Sequence, residues 1–181
     1  MTFLPALSVP LLAILFYEDR KYRAVSWIVF PLLALTFIVC SLSYVRWTEL
    51  LFNTFYNISF LLIQLLLITL YFSLKNRKII LITQNYLGTG DILFLLCLAF
   101  FFSPINYIVF YFTSLFLILA GVLVYLIVKR NFNLKLPLAG LQSLLLLALI
   151  LLNIVCNNWF NYQNDHLIIS QLFVQWIPGN T

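Results

Sequence analysis

The chain has 181 residues, of which 64% are hydrophobic and only 8% charged, with a formal net charge of +5. So few polar groups cannot cover a water-soluble surface, which excludes a soluble globular enzyme and points to a polytopic membrane protein. In that setting the basic excess reports which loops face the cytoplasm, and no nucleic-acid partner is expected.

Apolar runs of about 20 residues cross the roughly 30 Å hydrocarbon core as helices. Six candidate spans follow in chain order, predicting an all-α protein with about six transmembrane helices. The first runs from Thr2 to Tyr17, the second from Ala24 to Val45 and the third from Leu51 to Leu74. The fourth begins at Asp91 and meets Ser103-Pro104, the fifth covers Asn106 to Val128, and the sixth runs from Leu138 to about Phe160. The first run has no basic n-region and no small-residue cleavage site, so it reads as a retained span. The unbroken apolar part of the fourth, Ile92 to Phe102, is too short for a full crossing unless its ends sit in protein or a wet cavity. That shortness sets the preceding GTGD, residues 88–91, below the membrane surface. No repeat or linker divides the chain. Residues 1–160 read as one six-helix unit, and 161–181 as an external tail compatible with an interfacial amphipathic helix. Trp159, Tyr162 and Trp176 read as aromatic anchors at the outer interface.

The charges are distributed unevenly among the loops. Arg20, Lys21 and Arg23 follow span one, Lys75, Arg77 and Lys78 follow span three, and Lys129, Arg130 and Lys135 follow span five. Only Arg46 lies opposite, so the odd-numbered connections are expected in the cytoplasm and both termini outside. The acids number five: Glu18, Asp19, Glu49, Asp91 and Asp165. Glu49 and Asp165 fall on the outer side, whereas Glu18, Asp19 and Asp91 all fall at span ends on the cytoplasmic side. Two carboxylates within a few Å of each other share a proton, so that one serves as base on a water and the other as acid. Asp91 by itself also suits a helix N-cap, but a cap needs no second carboxylate at the same depth.

The segment EDRKYRAVSW after the first span, followed by GTGD at the start of the fourth, resembles the type IV prepilin peptidase family of GxGD aspartic peptidases. The resemblance covers roughly residues 10–145 and implies a six-helix membrane peptidase core. It implies Asp19 and Asp91 as the catalytic pair, and Gly88 and Gly90 as glycines of the active-site loop. In that family the basic or polar loop after the first catalytic Asp often leads to an aliphatic-Pro pair; Val25 and Ser26 stand there in this chain. Leu93 occupies the place where many members have Lys. The family's Pro-containing motif before the last helix survives loosely as LKLPLAGL, with Pro137 and Gly140. The methyltransferase region of bifunctional members carries two CxxC pairs, whereas Cys40, Cys97 and Cys156 stand singly within spans. His166, the single histidine, has no partner at ligand spacing, so no metal and no cofactor are expected.

The resemblance implies a membrane aspartic endopeptidase of the bacterial inner membrane that removes a short basic leader from a pilin-like precursor on the cytoplasmic face. Its partners would be that precursor and the bilayer; the sequence leaves the oligomeric state open. Glu18, left without a catalytic task, is expected either to read a basic leader residue or to pair with Lys21 or Arg23. Two other readings remain: a GxGD intramembrane protease of the presenilin or signal-peptide-peptidase type, and a non-catalytic proton-coupled transport subunit using Asp91. The charge bias is testable without a substrate. A cysteine at Asn76 should be shielded from an impermeant reagent applied outside, and one at Asn164 should react; the opposite labelling would invert the topology.

Overall fold

The computed structural model describes residues 4–77, 88–129, 138–156 and 162–163. Lys78, Arg130, Lys135, Pro137, Trp159, Asp165, His166 and Trp176, with most of the 161–181 tail, lie outside the described residues. The described residues form six α-helices and no strand: α1 Val9–Tyr22, α2 Val29–Leu42, α3 Trp47–Asn76, α4 Thr89–Leu98, α5 Pro104–Lys129 and α6 Leu138–Val155. A short 3-10 turn, Pro5–Ser8, precedes α1. The all-α expectation holds.

The number of long spans is lower than the apolar runs suggest. Among the described residues three helices are long and apolar enough to cross a membrane: α3, α5 and α6. At 1.5 Å per residue α1 and α2 reach only about 21 Å and α4 about 15 Å. The reason is that apolar runs do not reveal where a helix stops. The first run includes the 3-10 turn, yet α1 continues past Tyr17 through Glu18, Asp19, Arg20 and Lys21, good or fair helix formers whose basic members suit a C-terminal turn. The second run loses residues 24–28 to the loop that leads into α2.

The core is a cluster of α1, α2, α4 and α6. Leu12 and Leu15, Leu33 and Phe37, Phe94 and Leu98, and Leu146 and Ile150 are fully buried there. α1 lies along α6 more extensively than any other helix pair. α3 exposes Leu62, Ile63, Leu66, Leu67 and Leu70, a face suited to lipid. Lipid tails are as apolar as leucine, so helix association here depends on close packing and polar contacts.

Those polar contacts concentrate where α4 ends. After Leu98 the backbone leaves the helix, and carbonyls at this depth need donors because no water is there to supply them. Asn57 Nδ2 on α3 donates to Ala99 O at 3.0 Å and Phe102 O at 2.8 Å. Ser41 Oγ on α2 donates to Phe100 O at 2.7 Å, and Gln163 Nε2 to Phe101 O at 2.9 Å. Tyr162 is the centre of this clasp. Its carbonyl accepts from Ser103 N–H at 3.0 Å and Asn106 Nδ2 at 3.1 Å, and its hydroxyl accepts from Asn153 Nδ2 at 2.9 Å. The ring packs against Phe101, with centroids 4.6 Å apart. Tyr162 is therefore a buried plug and not the interfacial anchor its sequence position suggests. The stretch read as an external tail from residue 161 is tied into the bundle at Tyr162 and Gln163.

Asn57→Leu should lower the thermal unfolding midpoint in detergent, because two buried carbonyls lose their donor at about 1–3 kcal/mol each. An unchanged midpoint would mean that other groups satisfy Ala99 and Phe102.

Candidate active site

Three helix ends converge at the other end of α4. Asp19 lies in the last turn of α1, the turn that Arg23 closes with a left-handed φ of 53° and an N–H donated to Asp19 O. Its side chain points into the interface with α6 because it continues the buried stripe of Leu12 and Leu15, three to four residues apart on a helix. Asp91 lies in the first turn of α4, where its Oδ2 accepts the backbone N–H of Gly88 at 3.2 Å. An acid in this position also suits the positive end of the helix dipole.

The third element is the start of α6. The first N–H groups of a helix have no partner within it. Here two of them are taken by the carboxylates: Ala139 N–H donates to Asp91 Oδ1 at 2.7 Å, and Gly140 N–H donates to Asp19 Oδ2 at 2.5 Å. Asp19 and Asp91 thus reach neighbouring amides, and the charge of Asp19 is felt at Asp91. Both acids lie outside the three described helices that are long and apolar enough to cross a membrane. Burial pushes the Asp19 carboxyl above the ordinary carboxylate range, opposed by the Gly140 N–H. Burial does the same at Asp91, opposed by the N–H groups of Ala139 and Gly88 and reinforced by Asp19. Two carboxyls held in this state suit proton sharing: one ionised and one protonated.

The glycines divide in role. Gly88 serves Asp91 through its N–H, and a Cβ there would lie 3.2 Å from Asp91 Oδ2. A Cβ at Gly90 would meet only the Phe30 ring, at 3.8 Å, an ordinary contact. Glu18 lies next to the pair but is engaged elsewhere. Its Oε2 accepts the Ser26 N–H at 2.7 Å and its Oε1 accepts the Ser26 hydroxyl at 2.9 Å, closing the α1–α2 loop. Lys21 donates instead to the Tyr17 hydroxyl at 2.8 Å. The structure thus brings Asp19, Asp91 and Gly88 together and gives Glu18 a loop-closing contact.

Sequence reasoning missed Ala139, Ser26 and the contact made by Gly140. A glycine in the first turn after LKLP was the available signal, since the chain has only five. Among the described residues no group of three or more His, Cys, Asp or Glu side chains is placed to hold a metal. No family model matches the chain, and no curated protein or solved structure matches it either.

Because burial raises the Asp19 pKa, the folded state holds that proton more tightly than the unfolded chain. The associated stability is full below the unfolded carboxylate range and is lost as pH rises through the raised value. Asp19→Asn should therefore unfold a few degrees above wild type at neutral pH, with the difference closing on acidification. A variant less stable than wild type at neutral pH would contradict this.

Proposed function

We propose that the chain is a membrane aspartic endopeptidase, similar in kind to the type IV prepilin peptidases, that removes a short basic leader from pilin-like precursors at the cytoplasmic face of the bacterial inner membrane. The observation that carries the reading is the meeting of Asp19 and Asp91, from separate helices, on the adjacent amides of Ala139 and Gly140. A structural acid needs no such counterpart, and a transport subunit titrating Asp91 alone would need none either.

The chemistry follows from one shared proton. The ionised carboxylate takes a proton from a water whose oxygen attacks the scissile carbonyl carbon, while the protonated partner gives its proton to the carbonyl oxygen. Collapse of the resulting diol breaks the C–N bond as the amine nitrogen is protonated, and the pair returns to its singly protonated state. The cytoplasmic assignment rests on the charge bias of the loops around α1 and α3, where Arg20, Lys21, Arg23, Lys75 and Arg77 accompany the end at which the acids lie. Gly88 and Gly90 leave Asp91 without a bulky neighbour on its N-terminal side, which suits the approach of an extended backbone.

Asp19→Asn and Asp91→Asn should each reduce processing of a basic-leader pilin-like substrate, co-expressed and scored by size shift, by about a thousandfold or more while the protein still inserts. Glu18→Gln should cost only a few-fold, since a carbonyl oxygen still accepts one Ser26 bond. Full processing by the Asp19 variant would remove the dyad; loss of proton-coupled transport with only the Asp91 variant would favour the transport reading.

A further inference from the structure

A side chain is missing from one position of α6 where helix stability alone would favour one. A Cβ at Gly140 would lie 2.8 Å from Asp19 Oδ2 and 3.1 Å from Asp19 Cβ, so any larger residue there would push the Asp19 side chain out of its present position. Gly121, in the middle of α5, offers the contrast: a Cβ there meets nothing within 4 Å. Gly140 is thus the place where a carboxylate-bearing helix rests directly on the backbone of another. Its neighbour Ala139 presents the next amide, and that amide is taken by the second carboxylate.

We propose that the first turn of α6 is a positioning element for the dyad, with the Ala139 and Gly140 amides holding the two carboxylates one peptide unit apart. The spacing between neighbouring N–H groups is fixed by covalent geometry, so two acids bound to them cannot drift apart as separate helix ends would. The same two donors belong to the partly positive N-terminal end of α6, which offsets the like charge of the two carboxylates. The donors are unequal in number: Asp91 has Ala139 and Gly88, whereas Asp19 has Gly140. Ala139 and Gly140 touch no reacting atom in this account; they act through Asp91 and Asp19.

This inference rests on the endopeptidase reading for its purpose, but its physical consequence is separable from it. Replacing Ala139 by lactic acid through nonsense suppression exchanges the amide for an ester, deleting the N–H while keeping the side chain. A donor to a carboxylate favours the ionised form, so its removal should raise the pH at which Asp91 ionises by about one unit. The direct readout is the carboxyl infrared band of Asp91, titrated in Asp19→Asn protein with and without the ester. The acid limb of the pH–rate profile in otherwise wild-type protein should move the same way. The same ester at Leu147, in the middle of α6, removes a helix-ladder amide and should move neither. No shift with the Ala139 ester, or an equal shift with the Leu147 ester, overturns the positioning role. An Asp91 shift in a protein without any proteolytic activity would keep the positioning role and remove the endopeptidase reading. Gly140→Ala supplies a variant built from standard residues: it should lower processing at least tenfold with helix content and expression unchanged, and wild-type processing by it would count against the proposal.

Discussion

A ten-residue helix cannot cross a bilayer, and the organisation of this protein follows from that limit on α4. Beyond its C-terminal end Ala99, Phe101, Phe102 and Ser103 are buried and need partners supplied by the protein, whereas at its N-terminal end Gly88 and Thr89 are exposed and Asp91 is part-buried. At the C-terminal end the carbonyls from Ala99 to Phe102 are met by Asn57, Ser41 and Gln163. At the N-terminal end Asp91 is met by Gly88 and Ala139. The first set is neutral and fully enclosed, which makes it structural. The second set surrounds an ionisable group at the end of α4 near Arg20, Lys21 and Arg23, and the proposed chemistry rests on that group.

The energetics of the two ends are opposed. In a lipid environment apolar burial separates helices from lipid only weakly, so each satisfied carbonyl at the Tyr162 clasp counts toward holding α2, α3, α4 and α6 together. The acids at the other end work against folding, since burial raises the proton affinity of both. The two ends of α4 thus contribute in opposite directions, the clasp through satisfied carbonyls and the acids through the cost of burial.

The sequence made legible those features that depend on residue type, and hid those that depend on where helices stop. Nine of ten basic residues fall on one side of the predicted membrane, and three of five acids fall on that side at helix ends. Asp19 and Asp91 could be picked out because charge is rare in this chain. The span count could not, because Thr2 to Tyr17 and Ala24 to Val45 are continuous apolar text containing a 3-10 turn and a loop. Tyr162 reads like an interfacial anchor since aromatic residues near a span end usually are; its burial depends on the gap beyond Leu98, which no local pattern reports. Ala139 was invisible for a different reason: a backbone amide acts whatever its side chain, so composition carries no trace of it.

The contact between α1 and α6 links these levels. α1 brings an acid to a helix terminus, which is an electrostatically favourable meeting, but only a close crossing allows the carboxylate to reach an amide directly. The crossing is close because Gly140 has no side chain and Ser143, one turn on, turns its hydroxyl back to Gly140 O at 2.8 Å. A hydroxyl bonded within its own helix presents little bulk and no unpaired polar atom to the neighbour, so α1 can settle against this strip of α6 with Leu12, Leu15 and Asp19 all turned inward. The Glu18–Ser26 contact then ties the chain that leaves α1 back to the last turn of that helix. Packing at small residues and the first amides of a helix therefore meet at the same carboxylate, and Asp19 and Asp91 are both held by backbone N–H groups.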